Sequence, residues 1–178
     1  MTRPADLSWS LRTRRDTLRL ARRMALSLSP GDLVVLTGEL GAGKTFLVRG
    51  ICRALGLSER IRVTSPTFTL VHEFETSPPL LHADLYRLEK TADVRQLGLR
   101  SRRDEGWALL VEWGEPFIAE LGGDALVITI TAVPRSVRLV SSGPRSDDML
   151  AQLENSRHET ARLPLVRRGN HEHRDPDR

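Results

Sequence analysis

The octet Gly38-Glu39-Leu40-Gly41-Ala42-Gly43-Lys44-Thr45 combines the residue types that cradle a phosphate. Glycines let the backbone wrap closely and aim N–H groups at anionic oxygens. An ammonium at Lys44 suits a bridge between the β- and γ-phosphates of a nucleotide, and the Thr45 hydroxyl suits a Mg2+ shell. Lys44 is one of two lysines, with Lys90, in a chain whose Lys and Arg total 27. Gly-x4-Gly-Lys-Thr is the P-loop pattern, and its flanks agree. "LVVLT" at 33–37 reads as a buried strand, and "KTFLVRGICRAL" has helical periodicity and stops at Gly56. A glycine-rich β–α turn without ligand is the competing reading, and both flanks count against it. The expected nucleotide contacts are Glu39, Leu40, Gly41, Ala42, Gly43, Lys44, Thr45 and Phe46, with ATP and Mg2+ as cofactors.

Phosphate chemistry also requires an acid near the metal at the end of a neighbouring strand. "ALLVEW" supplies Glu112 after four apolar residues, as the Walker-B pattern asks. Alone it reads equally well as an ordinary strand-end carboxylate, but a P-loop upstream favours the metal role. Hydrolysis further needs a group that orients or deprotonates water. Asp84 in "HADLYR" ends an apolar run and is the first candidate, with a turn or cap carboxylate as the alternative. "TSPTF" at 64–68 sets hydroxyls around a proline and could sense the γ-phosphate, although most such strings are turns. His82 stands between a site contact and a structural imidazole. Trp113 either lies near the nucleotide or covers a partner-facing surface. Cys52 reads as a small core residue, and "HEH" at 171–173 is too short to make a metal site.

These residues need elements to hold them. Thr13-Arg14-Arg15-Asp16 has capping-box spacing, and Leu18, Ala21, Ala25 and Leu28 then recur at helical intervals until Pro30-Gly31. "RVTSPTFTLVHEFE" looks extended around a turn, and "PLLHADLYRL" and "WALLVEW" read as strands. "ALVITITAV" and "SVRLVS" flank Pro134-Arg135 as an antiparallel hairpin. Strands alternating with helices indicate an α/β three-layer domain with a mixed parallel/antiparallel sheet. Residues 1–143 form the expected ATPase domain, and 144–178 a charged tail with at most a short helix near 146–155.

At 178 residues with 39% hydrophobic content, a core needs no disulfide, and a single cysteine suits a reducing cytosol. No apolar run approaches a membrane span, so a cytoplasmic protein is expected. Seven arginines fall within residues 3–23, a patch that fits a solvated helix face better than a nucleic-acid site. A small-molecule or nucleoside kinase is the rival enzyme class; no compact lid is evident, although Arg100, Arg102 and Arg103 could imitate one. A nucleotide-dependent switch is the rival outside catalysis, and no N-K-x-D string for reading guanine occurs.

Taken together, "GELGAGKT", "SPTFTL", "HADLYRL" and "VEWGE", in this order, resemble the small bacterial ATPase family TsaE, also called YjeE, over roughly residues 8–142. The resemblance implies a weak ATPase that serves synthesis of N6-threonylcarbamoyladenosine at position 37 of tRNAs reading ANN codons. It implies binding to the TsaD–TsaB heterodimer, which transfers threonylcarbamoyl to tRNA, so tRNA is reached indirectly; alone the chain would be a monomer or weak oligomer. Carried over by motif, Lys44 and Thr45 meet phosphate and Mg2+, Glu112 the metal, and Asp84 supports hydrolysis. Ser65 to Phe68 would form a switch-like segment, and Trp113 matches the family's E-W tryptophan. Thr13 and Arg135 match positions near the nucleotide. "LGLRSRRDEG" departs from the acidic residues usual there, and nothing carries over to the residues beyond 143.

Overall fold

The structure, a computed structural model, describes residues 6–160. In chain order the elements are β1 (Asp6–Ser10), α1 (Arg14–Ser27), β2 (Leu33–Thr37), α2 (Lys44–Ala54), β3 (Val71–Phe74), β4 (Leu80–Asp84), α3 (Thr91–Gln96), α4 (Leu99–Asp104), β5 (Ala108–Glu112), β6 (Leu126–Ala132), β7 (Arg135–Ser141) and α5 (Pro144–Thr160). One 3-10 turn, Glu115–Phe117, follows β5. The strands form a single sheet in the order β1-β7-β6-β2-β5-β4-β3. Its four central strands, β6, β2, β5 and β4, run parallel, and β3, β7 and β1 pair antiparallel at the margins. The expected three-layer α/β P-loop fold with a mixed sheet is the fold observed.

The central strands are apolar throughout because both of their faces are covered. In β2, Val34 and Leu36 join the cluster that packs under α1, α2 and α5, whereas Leu33 and Val35 join the cluster under α3, α4 and the 3-10 turn. β5 divides in the same way: Leu110 faces the first cluster, Leu109 and Val111 the second. The free thiol of Cys52 sits in the first cluster at 0% exposure, where burial pushes it up to about 12. It is the core residue its helical position predicts. No described helix is long and apolar enough to cross a membrane.

Three expectations change. The first concerns β1, which had no counterpart in the sequence reading: Leu7 and Trp9 alternate inward and the strand pairs with β7 from Asp6↔Val140 to Ser10↔Ser136. Its partner lies 126 or more residues away, beyond the reach of local pattern. The second concerns α1, whose capping box forms as expected but whose buried stripe is Thr17, Leu20, Ala21, Met24 and Ser27. Of the positions read as its apolar face, Ala21 and Leu28 are buried and Ala25 packs against the core, whereas Leu18 is 41% exposed.

The third concerns the segment after 143. α5 spans Pro144–Thr160, longer than the short helix expected, and Met149, Leu150 and Leu153 are buried in the first core cluster. The packed unit therefore continues past the boundary drawn at residue 143. Its first turn is capped from a distance: the Asp124 carboxylate accepts from the backbone N–H of Arg145 at 2.8 Å and of Ser146 at 2.9 Å. The remaining tail residues, with "HEH" at 171–173, lie outside the described residues.

α4 also carries structural work. The Arg103 guanidinium, 7% exposed, donates to the carbonyls of Gly31, Leu121, Gly123 and Asp124 over 2.7–3.1 Å. It thereby ties α4 to the loop before β2 and the loop before β6. Arg102 pairs with Glu73 at 2.8 Å and lies over Trp107 at 4.1 Å. Neither arginine is a lid over the P-loop.

If α5 is part of the core, Leu153→Ala should destabilise the chain by about 2–5 kcal/mol. Urea unfolding of the full chain measures this; a loss within error of zero would show that the helix contributes nothing to the fold.

Candidate nucleotide-binding site

The P-loop joins the end of β2 to the start of α2. Gly38 adopts φ +128 and passes so close to β6 that a Cβ there would lie 2.2 Å from the Ile130 carbonyl oxygen. Gly43, φ +106, is the N-cap of α2 and gives it no side-chain cap, so the first N–H groups of the helix face the loop. A Cβ at Gly43 would lie 2.6 Å from the Arg135 guanidinium, which places the first residue of β7 directly against the loop. Arg135 Nε is buried without a hydrogen-bond partner.

Lys44 begins α2 and is 4% exposed. Its ammonium donates to the carbonyls of Gly38 at 2.7 Å and Glu39 at 3.1 Å, and it lies 3.9 Å from the centroid of the Trp113 ring. Burial pushes this ammonium below the usual lysine value, while the carboxylates of Glu112, Asp84 and Glu115 pull it partly back. Next in the chain, Thr45 donates its hydroxyl to Glu112 Oε1 at 2.7 Å.

Glu112 and Asp84 come from adjacent parallel strands in register, each the last residue of its strand. Both are nearly inaccessible, at 3% and 5%. Asp84 Oδ2 accepts the Ser65 hydroxyl, in a short contact, and the Thr67 hydroxyl at 3.3 Å; Oδ1 accepts the Tyr86 N–H at 3.1 Å. "TSPTF" thus closes over Asp84 from above. Glu112 Oε1 also receives His82 Nε2 at 2.9 Å, so the buried imidazole meets a residue of the cavity lining without lying on the lining itself. Trp113, held at φ +61, packs against Tyr86 with ring centroids 5.1 Å apart.

These groups enclose a cavity of about 370 Å³ lined by Leu40, Gly41, Gly43, Lys44, Thr45, Ser65, Thr67, Asp84, Tyr86, Glu112 and Trp113. Of the expected contacts, Leu40, Gly41, Gly43, Lys44 and Thr45 lie on it. Glu39 contributes a carbonyl to Lys44 and Ala42 is buried beneath the loop, whereas Phe46 is half-buried on α2 away from the lining. Thr13 is off the lining too: its hydroxyl is engaged in the α1 capping box with Asp16. Two residues before Thr13, the Leu11 N–H meets the Arg135 carbonyl at 2.9 Å. The sequence reading assigned no part to Tyr86; its place two residues after Asp84 was the available signal.

The donor set suits a Mg–nucleotide. A hydroxyl and a carboxylate that converge on the cavity are hard oxygen ligands of the kind Mg2+ uses sparingly, keeping water and phosphate for the rest of its shell. Among the described residues no group of three or more His, Cys, Asp and Glu is arranged to hold a metal by itself.

A family model described as "Threonylcarbamoyl adenosine biosynthesis protein TsaE" matches residues 11–139. The chain belongs to the TsaE family. The tRNA threonylcarbamoyladenosine biosynthesis protein TsaE of Streptomyces coelicolor is 46% identical over 115 residues, covering 62% of this chain and 76% of that protein. The protein of the same name from Bacillus subtilis is 34% identical over 158 residues, covering 86% of this chain and 96% of its own length. Among solved structures, the crystal structure of Bacillus subtilis YdiB superposes with a TM-score of 0.67 at 29% identity, covering 86% of this chain and 96% of that one. Membership of TsaE places the chain in a family of tRNA threonylcarbamoyladenosine biosynthesis.

The lowered Lys44 sets a pH dependence. Phosphate binding takes the ammonium form, so affinity should be highest below the Lys44 pKa of the free chain and fall about tenfold per pH unit above it. The decline should begin below the 10.5 of an ordinary lysine. Nucleotide titrations through the alkaline range, with Lys44→Met as the blank, check this; constant affinity up to that value would refute it.

Proposed function

We propose that this chain is a Mg2+-dependent ATPase that serves threonylcarbamoylation of adenosine 37 in tRNAs reading ANN codons by acting on the TsaD–TsaB complex. The observation that carries the reading is the meeting of Lys44, Thr45, Glu112 and Asp84 around one cavity at the carboxyl edge of the sheet. That edge, beyond the carboxyl ends of parallel strands, is where α/β folds bind ligands.

In this reading, Lys44 exchanges the Gly38 and Glu39 carbonyls for phosphate oxygens, and the P-loop N–H groups take the remaining ones. Arg135, poised on Gly43 with an unpaired Nε, adds a second cation on the opposite side of the loop. Thr45 and Glu112 would hold the Mg2+, whose contribution when bound is to neutralise charge building on the phosphates. Asp84 has the acceptor capacity to orient a water: its Oδ2 is engaged by the Ser65 and Thr67 hydroxyls, groups that a phosphate could draw away. Coupling between the nucleotide and the 64–68 loop would follow from that exchange.

The surroundings favour a protein partner over a diffusing acceptor. Leu40 in the loop and Tyr86 on the lining are 82% and 57% exposed, and Phe68 beside them is 84% exposed under the Arg87 guanidinium at 4.6 Å. Large apolar side chains around a polar cavity fit a surface that another protein covers. Kinase chemistry gains no support from Arg102 and Arg103 of α4, which are engaged elsewhere. The chain would work in the cytoplasm and reach tRNA only through its partners, as a monomer or weak oligomer when alone.

Asp84→Asn should leave nucleotide affinity intact and lower phosphate release by about 10²-fold or more. Phosphate release by the normal chain should be slow and rise when TsaD and TsaB are added. Normal turnover in Asp84→Asn would remove that residue from the chemistry, and an unchanged rate with both partners present would refute the assignment of the partner.

A further inference from the structure

His82 is fully buried on β4, two residues before Asp84. Among the described residues its one side-chain hydrogen bond runs from Nε2 to Glu112 Oε1, at 2.9 Å. A carboxylate oxygen only accepts, so Nε2 carries the proton. The other ring nitrogen, Nδ1, is buried with no partner. The His72 ring meets it edge-on with centroids 6.5 Å apart.

A histidine kept for packing alone would be expected to satisfy both nitrogens, or to be replaced by an apolar side chain of similar volume. Among the described residues the one side-chain hydrogen bond of His82 is made to Glu112. What the imidazole does provide is one donor, aimed at one oxygen of Glu112. That oxygen also receives the Thr45 hydroxyl at 2.7 Å. With two donors on Oε1, from β4 and from the first turn of α2, the carboxylate cannot rotate without breaking both bonds. Oε2 accepts no hydrogen bond among the described residues and is left as the free oxygen of a group that lines the cavity.

We infer that His82 is a positioning residue for the cation site: its Nε2–H pins Oε1 of Glu112, so that the carboxylate holds a fixed orientation when Thr45 turns its hydroxyl oxygen to a metal. The inference rests on the reading of Thr45 and Glu112 as the Mg2+ residues. His82 itself is neither a ligand nor a proton carrier. Outer groups of this kind fix ligand geometry, and their loss commonly lowers metal affinity by 10–100-fold.

The test compares His82→Leu, which withdraws the donor at similar volume, with His82→Gln, which offers an N–H at similar reach. Calorimetric titration with a non-hydrolysable ATP analogue, in EDTA and with increasing Mg2+, separates nucleotide affinity from cation affinity. His82→Leu should lose about 10–100-fold in Mg2+ affinity while binding the metal-free nucleotide as the normal chain does, and His82→Gln should recover most of the loss. A folded His82→Leu with unchanged Mg2+ affinity would overturn the inference, as would an equal loss with and without Mg2+. Should His82→Leu not fold, His82→Asn, whose shorter amide does not reach Oε1, makes the same comparison with His82→Gln. If the normal chain itself binds the analogue equally with and without Mg2+, the cation site itself fails rather than the role of His82.

Discussion

An ammonium, two carboxylates and an imidazole share one small volume at the carboxyl edge of the sheet, and each is nearly removed from water. Lys44, Asp84 and Glu112 are 3–5% exposed and His82 is wholly buried. Isolated charges in such a place are strongly unfavourable, so their mutual arrangement has to be held tightly by the scaffold. Two carbonyls and an indole face receive the ammonium; two hydroxyls and one N–H receive Asp84; one hydroxyl and one imidazole receive Glu112. Each of these buried groups thus meets partners that the chain itself supplies.

The register of the central strands makes this arrangement possible. Asp84 pairs with Glu112 and His82 with Leu110, so alternate residues of β4 and β5 project to the α2 side. A slip of one residue in either strand would turn its site residues to the α3–α4 face. Distant parts of the chain contribute to holding that register. Arg103 binds four carbonyls around the opposite end of the sheet, and α5 is capped by Asp124 and seals the side next to α1. The hairpin of β6 and β7 has a direct role, since β6 sets the path of Gly38 and β7 brings Arg135 to Gly43.

Much of this was legible in the chain because the signals are local. The P-loop spacing is set by what a backbone must do around a phosphate. The buried strands show as continuous apolar runs, since both faces are covered, and Glu112 and Asp84 stand where those runs end. The capping box of α1 needs only four consecutive residues. Where the reading went astray, the deciding partner was remote. β1 depends on β7, α5 depends on a cap from Asp124 and a hydrophobic seat beside α1, and the charged run 100–103 conceals a buried guanidinium. Thr13 and Phe46, expected beside the nucleotide, are not on the cavity lining, and the Thr13 hydroxyl is engaged in the cap of α1.

By itself the sequence determined where the P-loop pattern lies, which two strands end in acids, and to which family the combined motifs correspond; the first two follow from residue types within a few positions of one another, and the third from four short motifs taken in order. Only the tertiary structure decided that Asp84 is closed off by Ser65 and Thr67, that Lys44 rests against Trp113, and that His82 reaches Glu112 rather than the core alone. Those contacts span gaps in the chain that no periodicity bridges, and they exist because parallel pairing aligns the strand ends and burial leaves each polar group few partners to choose from.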